Sequence, residues 1–266
     1  MNKKIAFFGT FGEFSRLYLD SLKNAGFNIA LAVEDKKIDF RTIEQKLLET
    51  KPDLGVIAYF GKIIPKNILK IPAKGFINAH PSLLPRWRGP SPVQNTILAG
   101  DTKTGITIHI TSEEIDEGDI LAQKEVPIFS NDTCGVLTER LAKEGAKLLP
   151  EVIESWLNRT ITPTSQNHSL ATHSKMIKKE DGLIDWSKTP EYIERQVRAY
   201  DPWPGTFTKM KNGKILKIKK VETKNGKLKI LVVQPEGKKD MPYEAFLRGH
   251  PDFKIYNAAG LGFEPR

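Results

Sequence analysis

The segment 78–89 contains the residues best suited to chemistry, because an amide and an imidazole stand two positions apart at the end of an apolar run. Alternate side chains of a strand leave the same face, so Asn78 and His80 would enter one pocket. The Pro-rich segment that follows cannot continue a strand. This predicts that the pair lies at a strand's carboxyl end, where open α/β sheets bind their ligands.

An amide and an imidazole together can perform acyl transfer. At pH 7 His80 can take a proton from an attacking amine, and the amide N–H of Asn78 can stabilise the oxyanion of a tetrahedral intermediate. A carboxylate can fix the tautomer of the histidine and raise its basicity, and Asp116 is the best placed candidate. Because Cys134 is remote and Ser82 has no obvious activating base, direct transfer is favoured over a covalent acyl-enzyme.

The remaining histidines lack such a setting. One of them alternates with isoleucines on a predicted strand, and the other three lie in polar segments. No catalytic role is predicted for His109, His168, His173 or His250.

The segment 78–85 and the later segment 116–118 resemble the signature of the folate-dependent formyltransferases, Asn-x-His-x-Ser-Leu-Leu-Pro followed by Asp-x-Gly. This family transfers a formyl group from 10-formyltetrahydrofolate to an amine. The resemblance implies that Asn78 polarises the formyl oxygen and that His80 manages the proton. It also implies that Asp116 supports His80 and helps to hold the folate, and it implies no metal.

The same resemblance supplies further contact residues. The predicted folate contacts are Tyr59, Lys62, Ile63, Ile64, Glu114, Ile115 and Asp116. The predicted acceptor contacts are Phe14, Ser82, Arg86 and Arg88. Helix-entry packing is the alternative for Ile63 and Ile64, and core packing is the alternative for Phe14. The two arginines could instead brace their own loop through carboxylates.

Length and composition limit the class of protein. A chain of 266 residues can form one full core and a smaller second one, and its single cysteine excludes an internal disulfide framework or a Cys-rich zinc site. The first apolar run is too short for a signal peptide, and no stretch approaches the roughly 20 apolar residues of a membrane span. We therefore expect a cytoplasmic protein that does not enter a membrane. We also expect it to be a monomer.

The net charge of +9 is concentrated in the last quarter of the chain. Residues 205–266 contain 14 Lys and Arg against 6 Asp and Glu, whereas residues 1–204 contain 27 against 26. A basic module beside a neutral domain is typical of a polyanion binder. The alternative is a lysine-rich solvated β surface that discourages aggregation.

Apolar strands alternating with amphipathic helices predict a doubly wound, Rossmann-like α/β domain with a mostly parallel sheet over residues 1–157. Helices are expected over residues 14–24, 39–50, 132–156 and 189–200, and a helix that begins at Pro92 is expected to end at Gly100. Ile43, Leu47 and Leu48 are expected to share one face of the second of these helices. Residues 158–204 would form a linker and a connecting helix. Asn-Gly pairs at 212–213 and 225–226 predict tight hairpins in a small antiparallel, OB-like, partly open barrel over residues 205–255. A disordered tail is expected over residues 256–266.

Segments 175–186 and 198–204 resemble the junction of the methionyl-tRNA formyltransferases. The resemblance therefore implies formyl transfer to the α-amine of initiator methionyl-tRNA. An amino-sugar nucleotide N-formyltransferase would share the signature, but the basic charge beyond residue 205 argues against it. A non-enzymatic RNA-binding protein on the same scaffold is the third possibility, and the intact site argues against that one.

Two parts are shorter than the family pattern. Between Asp35 and Leu54 there is room for one helix, where methionyl-tRNA formyltransferases add a basic loop, a helix and another strand. The C-terminal module is also short for the family's barrel. In a doubly wound sheet the missing strand would lie at an edge, so the core can survive its loss. The basic loop approaches the tRNA acceptor end in the family, so its absence should affect tRNA recognition more than catalysis.

Overall fold

The computed structural model describes residues 3–10, 12–35 and 37–253. The chain forms two compact units whose segments alternate along the sequence. The first unit contains residues 1–92, 102–128 and 137–175, and the second contains residues 93–101, 129–136 and 176–266. Within the described part, no helix combines the length and apolarity needed to cross a bilayer. The predicted tail at 256–266 lies outside the described residues.

A six-stranded sheet with the order β2-β1-β3-β4-β5-β6 organises the first unit. Its strands are β1 (Lys4–Phe8), β2 (Asn28–Val33), β3 (Leu54–Ala58), β4 (Phe76–His80), β5 (Lys103–Ile110) and β6 (Ile120–Pro127). Strands β1 to β4 are parallel, whereas β5 runs antiparallel to β4 and β6 antiparallel to β5. The predicted Rossmann-like class is confirmed, with an antiparallel addition at one side of the sheet.

The described part of the chain contains helices at the expected positions and two short ones, over residues 66–69 and 243–249, that were not predicted. They are α1 (Glu13–Asn24), α2 (Phe40–Thr50), α3 (Lys66–Leu69), α4 (Pro92–Ala99), α5 (Cys134–Leu157), α6 (Pro190–Ala199) and α7 (Tyr243–Gly249). Helix α2 alone connects β2 to β3, and β2 is an outer strand, as the shortened segment predicted. Asp39 caps α2 by accepting a hydrogen bond from the backbone N–H of Arg41.

One residue of α2 departs from the expected apolar face. Ile43 and Leu47, four residues apart, are both buried, but Leu48 is exposed. A helix turns about 100° for each residue, so a residue five positions after Ile43 lies well away from the buried stripe. The expectation that Leu48 shares this face was wrong.

The second unit contains a four-stranded antiparallel sheet with the order β10-β9-β8-β7. Its strands are β7 (Thr206–Lys209), β8 (Ile215–Lys224), β9 (Lys227–Pro235) and β10 (Met241–Pro242). Asn225 and Gly226 both have positive φ, at 50° and 68°, and form the expected two-residue hairpin. The other hairpin is wider, because the backbone bond from Met210 to Lys214 encloses three residues.

Tyr18 of α1 is fully buried against α5, and its hydroxyl has no hydrogen-bond partner among the described residues. Burial accordingly raises the pKa of Tyr18. A Cβ added at Gly145 of α5 would overlap this hydroxyl. The Tyr18 hydroxyl therefore requires a glycine at position 145, although it forms no hydrogen bond with the described part of the protein.

We expect Tyr18→Phe to leave the free energy of unfolding unchanged or to raise it by up to about 1 kcal/mol, because an unpaired buried hydroxyl is removed. Gly145→Ala should destabilise the protein by about 1–3 kcal/mol through overpacking, and by clearly less when Tyr18→Phe is also present. Urea unfolding of the wild type, the two single variants and the double variant measures the free energies of this double-mutant cycle. A loss of more than about 1 kcal/mol in Tyr18→Phe alone would reveal a partner for the hydroxyl.

Candidate active site

Strand β4 ends at His80, as the sequence predicted. Across the antiparallel pair, Asn78 stands opposite His109 of β5, and His80 stands opposite Thr107. The pairing therefore brings a second histidine beside the Asn and His of the motif. All of these residues belong to the first unit.

The carboxylate of Asp116 is the centre of the cluster. Its Oδ1 accepts a hydrogen bond from Asn78 Nδ2 at 3.2 Å, and the backbone N–H of Gly89 donates to its Oδ2 at 2.8 Å. Oδ2 also lies 3.4 Å from His80 Nδ1, and Oδ1 lies 3.5 Å from His109 Nε2. The structure thus brings together the three residues that were predicted to be catalytic.

The loop after β5 presents Asp116 through an unusual backbone conformation. Asp116 has a φ of 56°, which is uncommon for a residue other than glycine. A Cβ at Gly118 would overlap the carbonyl oxygen of Ile110, so this position requires glycine. The side-chain amide of Gln166 donates to the backbone carbonyls of Asp116 and Gly118, both at 2.8 Å.

Side chains of β5 and β6 fix the loop that follows His80. Thr107 Oγ1 donates to the carbonyl of Ser82 at 2.6 Å and accepts from the N–H of Leu84 at 3.0 Å. Gln123 donates to the carbonyl of Leu84 at 2.9 Å. The buried hydroxyl of Ser82 donates to the carbonyl of Arg86 at 2.6 Å, an arrangement that favours bracing of the loop over contact with an acceptor.

The two arginines of the loop have different settings. Arg88 is only 2% exposed, and its guanidinium donates to Glu117 at 2.7 Å and to Gln166 at 3.2 and 2.8 Å. This favours the bracing alternative for Arg88. Arg86 is exposed, and its Cζ lies 4.5 Å from the centre of the Trp87 ring. A contact between Arg86 and an acceptor stays a prediction.

The ring of His80 lies between two acceptors. Its Nε2 is 3.0 Å from the carbonyl oxygen of Trp87, and its Nδ1 faces Asp116. A neutral imidazole can donate to one of these oxygens at a time, whereas the imidazolium can donate to both. The surroundings therefore favour the imidazolium once His80 has taken a proton.

Burial lowers the pKa of His80 below its ordinary value of 6.5, against the attraction of the Asp116 carboxylate, and the nearby His109 lowers it further. Burial also opposes ionisation of Asp116. The attraction of His80, together with the contact with His109 and the hydrogen bond from the backbone of Gly89, nevertheless holds the pKa of Asp116 far below its usual range. At pH 7 the cluster thus pairs a neutral imidazole with an ionised carboxylate.

His109 belongs to this cluster although no role was predicted for it. It is buried, and its Nδ1 lies 3.0 Å from the carbonyl oxygen of Ile110, so Nδ1 carries a hydrogen. Its Nε2 faces Asp116. The alternation with isoleucines correctly indicates a buried strand position, but the contact depends on the register between β4 and β5, which the sequence does not supply.

The predicted folate loops expose two large apolar side chains, since Ile63 is 78% exposed and Ile115 is 57% exposed. An ion pair between Lys66 and Glu113 links the two segments. Such side chains suit a flat heteroaromatic ring, so the residues present fit a folate. Ile64 is instead buried in the core of the first unit, which supports the packing alternative for that residue.

Phe14 and Tyr59 form a ring pair with centroids 5.7 Å apart, and both side chains remain partly exposed. The Tyr59 hydroxyl donates to the carbonyl of Thr138 at 3.4 Å. Contacts of these two residues with substrates stay predictions. Among the described residues, no group of three or more His, Cys, Asp or Glu is arranged to hold a metal ion.

The fold corresponds to a known class of enzymes, since the chain belongs to the formyl transferase family. The family model "Formyl transferase" matches residues 21–153, and "Formyl transferase, C-terminal domain" matches residues 176–251. The chain is 40% identical over 228 residues to the methionyl-tRNA formyltransferase of Roseiflexus sp. (strain RS-1), which covers 77% of this chain and 70% of the relative. The family resemblance found in the sequence is confirmed.

Solved structures share the fold. The methionyl-tRNA formyltransferase of Clostridium thermocellum superimposes with a TM-score of 0.68 at 22% identity, over 88% of this chain and 98% of that one. HypX from Aquifex aeolicus, in complex with tetrahydrofolic acid, gives a TM-score of 0.71 at 18% identity, over 92% of this chain. The present chain spans 46% of the length of HypX in that match.

We expect the imidazole of His80 to titrate with a midpoint below 6.5 in the folded protein, because burial disfavours the charged ring. Asp116→Asn should move this midpoint lower still, since it removes the attraction of the carboxylate but leaves the burial. Nitrogen NMR of labelled histidine measures both midpoints, and His80→Gln identifies the resonance.

The same shift has a consequence for stability. Below pH 6.5 the unfolded chain binds the proton more readily than the folded one, so this residue lowers the free energy of unfolding as the pH falls through that window. A His80 midpoint above 6.5 would contradict both statements.

Proposed function

We propose that this chain transfers the formyl group of 10-formyltetrahydrofolate to the α-amine of initiator methionyl-tRNA, as a cytoplasmic monomer. The observation that carries the proposal is the cluster of Asn78, His80 and Asp116 at the end of β4. Support for the acceptor comes from the Roseiflexus relative, which bears the name of that activity.

Asn78 is suited to bind the formyl oxygen. The Asp116 carboxylate can only accept hydrogen bonds, so it orients the side chain of Asn78 with Nδ2 toward the cluster. Nδ2 has a second N–H, which can donate to the formyl oxygen as negative charge develops there. One such donor, when it is preorganised for the transition state, typically contributes about 10²–10³-fold in rate.

His80 is suited to receive the proton of the attacking amine. An α-amine titrates at about pH 8, so a substantial fraction is already neutral at pH 7 and attack itself releases the remaining proton. The side chain of Asp116 is 11% exposed, against 5% for that of His80, so Asp116 is the more accessible of the two. We therefore propose that the proton passes from the amine to Asp116 and from there to His80. The imidazolium of His80 then has an acceptor at each nitrogen.

The formyl donor carries its one-carbon unit on a nitrogen, and the bond between this nitrogen and the formyl carbon breaks as the new amide forms. The nitrogen leaves as a neutral amine when the imidazolium of His80 returns the proton to it by way of Asp116. Ile63 and Ile115 would contact the ring system of the donor, and Lys62 and Glu114 lie beside them in the sequence. Asn78 and Asp116 would be close to the formyl-bearing end. This assignment rests on two exposed apolar side chains together with the cluster itself.

The outer face of the C-terminal sheet is suited to a nucleic acid. Its inward positions Leu216, Ile218 and Val233 are buried, whereas exposed lysines occupy outward positions of three strands. These are Lys209, Lys217, Lys220, Lys224, Lys227 and Lys229. The one acidic residue among them, Glu222, lies 4.0 Å from Lys229. A face of this charge supports binding of a phosphate backbone.

We expect the protein to formylate methionyl initiator tRNA from 10-formyltetrahydrofolate, and not uncharged tRNA or an amino-sugar nucleotide. Asn78→Ala and His80→Ala should each lower kcat by about 10²–10⁴-fold. His173→Ala, which changes an exposed histidine, is the matched control and should leave kcat unchanged. Transfer of a labelled formyl group measures the activity of each variant and the activity with each acceptor.

Other outcomes would reassign the function. Activity restricted to the amino-sugar nucleotide would change the acceptor. Absence of transfer to either acceptor, together with tRNA binding that His80→Ala leaves intact, would indicate a non-enzymatic RNA-binding protein on this scaffold.

We expect the lysines of the C-terminal sheet to contribute to tRNA binding through phosphates. Lys217→Ala and Lys229→Ala should each weaken binding and make its salt dependence shallower, by up to about 0.9 in the log–log slope for each phosphate that the variant no longer neutralises. Lys23→Ala, in the last turn of α1, is a matched charge control. Filter binding at several salt concentrations measures the slopes, and equal slopes for all variants would contradict this role.

A further inference from the structure

Gln166 lies in an irregular segment of the first unit, yet its side chain uses all of its hydrogen-bonding capacity. Its Nε2 donates to the carbonyls of Asp116 and Gly118, both at 2.8 Å. Its Oε1 accepts from Nε and Nη2 of Arg88, at 3.2 and 2.8 Å. The side chain is buried, so each of these bonds is protected from water.

The backbone on either side of Gln166 is itself attached to the site. Thr164 exchanges two backbone hydrogen bonds with Ile120, each of 2.8 Å. Further along, the carbonyl of Thr172 accepts from the N–H of Arg88 at 2.9 Å, and the hydroxyl of Ser174 donates to the carbonyl of Arg88 at 3.0 Å. The segment is therefore fixed on both sides of the amide.

A carboxamide is the side chain that this position requires. Asp116 has a positive φ, and its carbonyl and that of Gly118 both point at Nε2. A glutamate would keep the interaction with Arg88 but would place an acceptor against these two carbonyls. A methionine would keep the length and form none of the four hydrogen bonds. The two substitutions therefore separate the interaction with Arg88 from the interaction with the Asp116 loop.

We propose that Gln166 is a positioning residue for formyl transfer, which holds the backbone of the Asp116 loop so that the carboxylate meets Asn78 and His80. This inference rests on the proposed function. The four hydrogen bonds of Gln166 go to Arg88 and to the backbone, so it acts on the functional side chains through the two carbonyls on either side of Glu117. A displacement of about 1 Å at a reacting centre can cost about 100-fold in rate, so a clamp of this kind has a measurable effect.

The test compares Gln166→Glu and Gln166→Met with Ser169→Ala, an exposed change in the same segment. We expect both substitutions of Gln166 to lower kcat by about 10–100-fold, with KM values for donor and acceptor changed by less than about threefold. Ser169→Ala should behave as the wild type. Melting temperatures are recorded for all variants, and kinetics are measured well below them.

Coupling to Asp116 is the decisive measurement. If Gln166 acts through Asp116, then Gln166→Glu added to Asp116→Asn should lower kcat by less than about twofold more. The proposal is overturned if the two effects multiply in full. It is also overturned if Gln166→Glu retains the wild-type kcat while Gln166→Met does not, because Gln166 would then serve only to brace Arg88.

Nitrogen NMR of the histidines provides a readout that needs no substrate. Gln166→Glu and Gln166→Met should shift the imidazole signals of His80 and His109, whereas Ser169→Ala should not. Unchanged His80 signals in both Gln166 variants would overturn the positioning role whatever the acceptor is. Shifted signals in a protein that formylates no tRNA would overturn the proposed acceptor and leave the role of Gln166 intact.

Discussion

The ionised carboxylate of Asp116, held inside the first unit, is the constraint on which the site depends. Removing a carboxylate from water is costly unless donors replace the solvent. Here the donors come from different parts of the chain: Asn78 from β4 and Gly89 from a loop, with His80 and His109 facing the same oxygens. Each of these parts must be placed correctly before the charge is compensated, so the architecture of the unit is directed toward this one group.

The antiparallel side of the sheet is the part that makes this compensation possible. A fully parallel sheet would supply the end of β4 but no neighbouring strand to place His109 opposite Asn78. Strand β5 also contributes Thr107, and β6 contributes Gln123, which together hold the loop from Ser82 to Leu84. The departure from a simple doubly wound fold is thus the feature that completes the cluster.

Local patterns were sufficient to predict much of the fold and the centre of the site. The end of β4, the helix α2 and the Asn225 hairpin depend on residues close together in the chain. His109 and Gln166 were not predicted, because their contacts depend on strand register and on the return of an irregular segment. For the same reason, the sequence did not decide between a folate contact and packing for Ile64, because its burial depends on residues distant in the sequence.

The opposing electrostatic effects on His80 suit the chemistry better than either would alone. Burial keeps the imidazole neutral at pH 7, which a base requires, whereas an unopposed carboxylate would keep it protonated. In the proposed reaction the carboxylate would instead stabilise the charged ring that forms as the proton arrives, together with the carbonyl of Trp87. Because these oxygens are already in place, the proposed proton transfer would need little reorganisation, and the interaction would strengthen as the reaction proceeds. The free energy needed to bury Asp116 is therefore offset by several donors when the protein folds, and it does not add to the barrier of the proposed catalytic step.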